Sequence, residues 1–576
     1  MVPHASLREF LKEPQIAYFS MEVGLRSDIP TYSGGLGVLA GDTIRSSADL
    51  KLPLVAVSLL SRKGYFRQRL DGEGNQSEEP QQWSPEEFGF RLLPERVALK
   101  LQGRRVWVGA WLYVHESVTG GKVPLLLLDT NFQDNHPEDR ELTSYLYGGD
   151  ERYRLKQEAV LGLGGVRLLR RLGFEIKKYH MNEGHASLLT LELLLEHRRD
   201  IEEVWDEELV WDVEAVRELC VFTTHTPVEA GHDKFSWQLV QEVLDEPIPL
   251  RVLQRLGGQE HLNMTLLALN LSEYVNGVAK RHREVSMHMF PGYEFSAITN
   301  GVHSYTWTCP SMRRLFDRYL PGWAQEPEIF VRVGRIPDEE LWEAHMEAKR
   351  ALIDYVNRTT GVAMDYETLT LGFARRATAY KRANLLFSDL GRLAEIGAGR
   401  LQIIYAGKAH PKDEPGKEMI REVFRCMKAL RGKIKAVYLE GYDIALAQLL
   451  TSGVDVWLNT PRRPLEASGT SGMKAAHNGV LNFSVLDGWW IEGHIEGFTG
   501  WAIGPLPSER EVISPEESDA LDAQDLYEKL EKVIIPTFYQ DRHTWVRMMQ
   551  NAIGKNAYYF NSHRMMRRYV TEAYIR

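Results

Sequence analysis

One lysine and the turn in front of it carry the most pointed chemistry in this chain. Glu466-Ala-Ser-Gly-Thr-Ser-Gly-Met-Lys-Ala-Ala-His-Asn-Gly479 follows Val454-Asp-Val-Trp-Leu-Asn459, an alternating apolar run that reads as a strand. The order is therefore strand, loop, helix. Gly469, Thr470, Ser471 and Gly472 would present unpaired backbone N–H groups and two hydroxyls at a helix N-terminus, where the helix dipole favours a phosphate. Lys474 comes just behind that anion site. A P-loop is excluded by spacing, because Met473 intervenes before Lys474 and Ala475 follows it. Two readings stay open on the residues alone. In one, Lys474 takes a phosphorylated aldehyde as a Schiff base while the helix start holds its phosphate. In the other it is a surface lysine after a tight turn.

A second set of charges lies in Phe373-Ala-Arg-Arg-Ala-Thr-Ala-Tyr-Lys-Arg382, with Arg375 and Arg376 at the carboxyl end of a strand and Lys381 shortly after. Arginine forks bind phosphate oxygens bidentately and lysine adds a compact charge, so the three could hold a dianion; a solvated surface is the plainer alternative. Gly34-Gly-Leu-Gly37, between a strand and a helix, could bring amides to an anion or serve only as a tight connection. His180, Glu183 and His185 invite a metal reading, but the spacing is not His-Glu-x-x-His, and hydrogen-bonded residues at a strand end explain them better. No metal site is expected. His225 stands at another strand end, where α/β proteins bind ligands, and a sugar contact is expected of it. Asn300-Gly301 reads locally as a turn.

The elements that must position these groups are alternating strands and helices. Gln15–Glu22, a helical run through Ile44 and Leu50, and Leu54–Leu59 make a βαβ unit. Arg62 to Phe132 is strand-rich and suggests a β insertion, and Glu138 to Leu172 is mostly helical. Beyond Trp307, five apolar runs (Thr368–Ala374, Gln402–Ala406, Lys435–Leu439, Val454–Leu458 and Val480–Ser484) alternate with helical stretches, which means parallel strands with crossover helices. The expected fold is α/β, two Rossmann-like domains facing a central cleft, the glycosyltransferase-B architecture. The expected division is 1–303 with the glycine loop, 304–550 with Lys474, and a helical tail 551–576 packing back on the first domain.

Composition narrows the function class. At 576 residues and 44% hydrophobic the chain can bury two substantial cores, and its net charge of −10 argues against a nucleic-acid partner, so phosphate affinity must be local. Cys220, Cys309 and Cys426 are isolated, without a disulfide or zinc pattern. No membrane partner is expected, because no apolar run is long enough to span and the N-terminus does not read as a signal peptide; a cytoplasmic location follows as an expectation.

The segment from Glu466 to Lys474, with Asn478-Gly479 after it, closely resembles the pyridoxal-phosphate lysine segment of the α-glucan (glycogen, starch and maltodextrin) phosphorylases. The resemblance implies that Lys474 carries pyridoxal 5'-phosphate, that Thr470 and the neighbouring groups of Gly469, Ser471 and Gly472 hold its phosphate, and that Glu466, Ser468 and Gly469 contact the reacting glucose. It further implies that Gly35, Leu36 and Gly37 cover the substrate phosphate, that Arg375, Arg376 and Lys381 are its basic partners, and that Asn300 and Tyr380 orient the sugar. The implied reaction is attack of inorganic phosphate on the non-reducing end of an α-1,4-glucan, releasing glucose 1-phosphate with retained configuration. Oligomeric state is not legible, and a homodimer is carried as an open expectation.

Four departures from the animal and plant enzymes stand beside the match: Arg375 for lysine, Glu273 for histidine, Asp443 for arginine and Gly472 for asparagine. The chain is also shorter than those enzymes. The rivals are a glycogen or starch synthase, which Lys474 disfavours, a hydrolase, for which no carboxylate pair is identified, and a catalytically inactive glucan-binding relative.

Overall fold

The computed structural model describes residues 5–201, 207–245, 247–506 and 513–575, so the outer ends of the expected domains, residues 1–4 and 576, lie outside the described residues. Gln15–Ser20 and Leu54–Leu59, buried along their whole length, pair in parallel with Ile16 opposite Leu54. Helix α1, Gly35–Asp49, makes the crossover between them. This unit is the middle of a nine-stranded sheet. On one side Ile176–Asn182, Cys220–Thr223, Tyr274–Gly277 and Ser296–Ala297 add in parallel. On the other, Lys122–Asp129 is parallel, and Arg104–Glu116 and Arg91–Leu101 are antiparallel. The strand-rich stretch from Arg62 to Phe132 thus mainly lengthens this sheet. Its hairpin, Arg67–Leu70 with Gln76–Glu79, reaches the second half of the chain, where Gln68 Nε2 donates to the Gly407 carbonyl at 3.0 Å and Gln76 Nε2 to that of Ala409 at 2.9 Å.

The second sheet has six strands, all parallel, in the spatial order Lys435–Leu439, Leu401–Ala406, Leu369–Ala374, Val456–Asn459, Leu481–Val485 and Gly500–Ile503. The five expected strands are present, and the sixth was not foreseen because its apolar stretch is only Trp501-Ala-Ile503 between Gly500 and Gly504, too short for a period to register. The fold is therefore α/β with two mostly parallel sheets, consistent with the glycosyltransferase-B architecture.

Helix α2, Thr470–His477, follows the central strand of the second sheet. Helix α3, Ser562–Tyr569, returns to the first half, where Met565, Met566, Tyr569, Ala573 and Tyr574 pack into the cluster of Tyr18, Leu39, Ile44 and Leu54. A further apolar cluster joins the halves: Val38 and Val302 meet Ile444, Met473, Trp489, Trp490 and Phe560 around Trp307. Each large side chain buried there contributes on the order of 2–3 kcal/mol, so the seam is a packed surface at the back of the cleft. Among the described residues no helix is long and apolar enough to cross a membrane.

Candidate active site

The turn before α2 is shaped by glycine. Gly469 caps the helix in the left-handed region, φ 89°, with no side-chain hydrogen bond to the helix start. The Gly472 N–H is taken by the Gly469 carbonyl at 3.2 Å, so Gly472 is no free donor as the sequence suggested. Among the described residues the N–H groups of Thr470 and Ser471 have no backbone or side-chain acceptor. A Cβ on Gly472 would lie 2.5 Å from Asn482 Oδ1 and 2.7 Å from Trp489 Cζ2. The Trp489 indole therefore fills the room that an asparagine at this position would need.

Lys474 is 6% exposed, and its Nζ stands 4.0 Å above the Trp307 ring. Burial lowers its pKa to about 8, with Asp42 opposing the shift and Arg45 adding to it. Trp307 is aimed from behind, because its Nε1 donates to Asp42 Oδ2 at 2.9 Å and Asp42 is paired with Arg45 at 2.8 Å. Asn478 Nδ2 bridges the carbonyls of Trp307 at 2.7 Å and Lys474 at 3.0 Å. The lysine thus faces α1 across the seam. The sequence reading missed Trp307 and Asp42; an acidic residue in the apolar run Val38-Leu-Ala-Gly-Asp42 was the available signal.

Glu466 gathers the charges. Its carboxylate is paired with Arg375 and accepts from Lys381 Nζ at 3.0 and 3.1 Å, and Lys381 Nζ also sits 4.6 Å from the Tyr380 ring centroid. Burial alone would raise the Glu466 pKa, but Arg375 and Lys381 outweigh it and hold the carboxylate at about 2. The Glu466 N–H donates to Asp487 Oδ2 at 2.9 Å, and burial, with the Glu466 charge adding, pushes Asp487 up to about 7. Arg376 is not part of this group: it is exposed, and Tyr65 and His410 feel its charge.

The opposite wall is the glycine loop. Ser33 N and Gly34 N donate to Glu22 Oε2 at 2.6 and 3.2 Å, and the Tyr147 hydroxyl donates to Glu22 Oε1 at 2.9 Å. Gly35 is exposed, Leu36 half-buried and Gly37 buried, where a Cβ would come 2.6 Å from Glu22 Oε2. The loop meets the second half where Ile444 N donates to the Tyr32 hydroxyl at 3.0 Å. Asp443 caps that helix by accepting from Leu446 N at 2.8 Å. Its carboxylate feels the charge of Lys408, which burial lowers to about 8 and which donates to the Phe66 carbonyl at 3.1 Å.

His225 is half-buried and desolvation lowers it to about 3; its Nε2 is 2.6 Å from Asn182 Oδ1, and its N–H donates to Glu183 Oε2 at 2.7 Å. Glu183 holds a left-handed φ of 78°, unusual for its type, and also accepts from Thr226 Oγ1 at 2.9 Å. His180 is bonded to Tyr574 and Thr223 at 2.6 and 2.8 Å, and with Glu183 and His185 it forms no metal-ligand set among the described residues. Asn300-Gly301 is more than a turn: a Cβ on Gly301 would lie 2.1 Å from the Asn561 carbonyl, so glycine admits the tail. Glu273 is exposed and paired with Lys178 at 3.1 Å, at the amino end of its strand and away from the strand ends that face the cleft.

Several buried polar atoms have no hydrogen-bond partner among the described residues: Ser468 Oγ, Asn300 Oδ1, Asn459 Oδ1 and Arg375 Nη1. Such groups cost stability unless a ligand completes them. With the uncapped helix start and the desolvated amine, they fit an aldehyde-bearing phosphate cofactor at α2 and a polar substrate beside it.

The carbohydrate phosphorylase family model matches residues 250–497. A maltodextrin phosphorylase of Thermococcus litoralis is 41% identical over 98% of this chain and 70% of its own length. Glycogen phosphorylases of Aquifex aeolicus and Mycobacterium tuberculosis are 37% and 36% identical, over 99% and 97% of this chain and 87% and 70% of theirs.

Proposed function

This chain belongs to the carbohydrate phosphorylase family and has the α-glucan phosphorylase activity of that family, and on that premise we propose that it cleaves the non-reducing end of an α-1,4-glucan with inorganic phosphate, reversibly, giving glucose 1-phosphate with retention. The observation that carries this reading is the pairing of a buried Lys474, lowered to about 8 behind an uncapped helix start, with two cations, Arg375 and Lys381, around one carboxylate. The family generally depends on pyridoxal phosphate. In this chain Lys474 would take its aldehyde, and Thr470, Ser471 and Gly469 would hold its phosphate. When bound, that cofactor supplies a phosphate monoester whose second pKa of about 6 suits proton transfer near neutrality.

The chain's own residues divide the remaining work. Arg375 and Lys381 now neutralise Glu466, and an incoming phosphate dianion competes for them, which frees Glu466 to accept sugar hydroxyls while it stays ionised. Asn300 Oδ1 and Ser468 Oγ, unpaired and buried, supply further sugar hydrogen bonds, with His225 and Tyr380 on the flanks. Arg376 reaches phosphate by a swing of its exposed side chain, and the Gly35, Leu36 and Gly37 amides close over it. Fixed dipoles and charges of this kind offset the charge between phosphate and an oxocarbenium-like sugar without reorganisation. We also propose the division 1–303, 304–550 and 551–576, with the tail as a strap, and action in the cytoplasm.

The test is phosphate-dependent release of glucose 1-phosphate from maltodextrin by the purified protein, together with its visible absorption. Release of free glucose without phosphate, or a colourless protein not activated by pyridoxal phosphate, would overturn the proposal.

A further inference from the structure

At the far end of α1, about 21 Å from its glycine start at 1.5 Å per residue, three ligand-type side chains converge. Asp49 Oδ2 is 2.8 Å from His303 Nε2 and 3.2 Å from His563 Nε2, and the donor atoms of the three lie within 4.8 Å of one another. They come from the last turn of α1, from the stretch just after Asn300, and from α3. Their side chains are 12%, 7% and 1% exposed. The phosphorolysis reading gives this cluster no work.

The surroundings separate a metal site from a simple hydrogen-bonded bridge. In a bridge, both rings would donate Nε2–H to the carboxylate. His563 Nε2 is buried 3.2 Å from Asp49 and is without a hydrogen bond among the described residues. Each ring also has a hydroxyl on its outer nitrogen, Thr306 Oγ1 at 2.7 Å from His303 Nδ1, which accepts from Thr306 N at 3.3 Å as well, and Ser46 Oγ at 3.2 Å from His563 Nδ1. Ser117 Oγ donates to the other oxygen of Asp49. Without an ion, His303 Nδ1 accepts from Thr306 N and its Nε2–H faces Asp49; an ion would displace that proton, and the Thr306 and Ser46 hydroxyls can then accept Nδ1–H so that both Nε2 lone pairs turn inward, the arrangement that surrounds metal-ligating histidines. Two imidazoles and one carboxylate suit zinc and its neighbours in the first transition row rather than calcium or magnesium, which prefer oxygen ligands.

We propose that Asp49, His303 and His563 form a site for one divalent transition-metal ion of the zinc class, a staple tying α3 to α1 and to the segment that crosses between the halves. The same region already holds the tail by backbone, with Ser562 N donating to the Val302 carbonyl at 2.9 Å, so an ion there locks the tail without touching the reacting groups.

The test uses the full-length protein, stripped by a chelator and titrated with cobalt(II) alone. Visible d–d bands should saturate at one equivalent, zinc(II) should abolish them, and either ion should raise Tm by several degrees through preferential binding to the folded state. Asp49→Asn and His563→Gln, checked for native circular dichroism, should lose both the bands and the Tm shift. Failure of the parent to take up cobalt(II) at one equivalent overturns the proposal even if neither variant folds. Uptake that survives in both variants overturns it as well.

Discussion

Two helices in this chain begin in glycines behind a parallel strand, and what faces each of them differs. At α1, the N–H groups of Ser33 and Gly34 already bind the internal carboxylate Glu22. At α2, the nearby carboxylate Glu466 is turned to Arg375 and Lys381, which leaves the first amides of the helix open beneath Lys474. Both helices lack a side-chain cap. The glycine pattern and the dipole are shared, so the difference in anion competence comes from the charges that the tertiary fold brings to each start.

The strongest way to break this comparison is to remove the lysine. Lys474→Ala is expected to lose the cofactor absorption and to cut phosphorolysis by more than ~10³-fold; retention of both would move the cofactor site elsewhere. The cofactor-free protein adds a pH test. Burial lowers Lys474 to about 8 in the folded state, below its ordinary value of about 10.4 unfolded, so the unfolded chain binds more protons between those values. Stability should therefore rise with pH from about 8 to 10.4, by at most ~3 kcal/mol. Lys474→Met should be more stable than the cofactor-free parent at neutral pH and lose that advantage over the same range, as read by denaturant midpoints.

Arg375→Ala should come next, lowering kcat/KM for phosphate by about 100-fold, or ~3 kcal/mol. Arg376→Ala should act mainly through KM for phosphate, because its side chain lies outside the Glu466 group. Steady-state kinetics at limiting phosphate checks both, and equal effects on kcat would put the two arginines in one site.

Gly472→Asn tests the packing at α2. The new Cβ would press on Asn482 and Trp489 at 2.5–2.7 Å, and a loss of ~1–3 kcal/mol is expected. Trp489→Leu in the same chain should recover part of it if the indole occupies the missing room.

The smallest effect is expected at α1. Glu22→Gln keeps an acceptor for Ser33 and Gly34 but removes any negative charge, so KM for phosphate should fall only about two- to five-fold, ~0.4–1 kcal/mol. An unchanged KM would mean that this loop does not sense the phosphate.

Much of this was legible before the structure because it is local. The run from Val454 to Gly479 carries its strand, its breaking glycines and its lysine within one stretch, and five apolar runs of the second sheet announce themselves by length and spacing. Gly500–Ile503 did not, because only Trp501-Ala-Ile503 is apolar there, between two glycines. The reading grouped Arg375 with Arg376 because they are adjacent, whereas successive residues after a strand turn to opposite sides. Asp443 and Glu273 stand out in the sequence as departures from the animal and plant enzymes, and their surroundings are not legible there. The first is a helix cap beside Lys408 and the second an exposed ion pair, facts that depend on neighbours from elsewhere in the chain.

The sequence by itself determined the strand-loop-helix that presents Lys474, the supply of cations after Leu369–Ala374, and two α/β sheets, since backbone preference and apolar periodicity act over a few residues. Only the tertiary structure decided that Trp307 and Asp42 stand behind the lysine, that Arg375 and Lys381 share Glu466, that Trp489 forbids a side chain at Gly472, and that Asp49, His303 and His563 meet. Those pairings join residues tens to hundreds of positions apart. No local rule fixes them, because they follow from the burial of one surface against another across the seam.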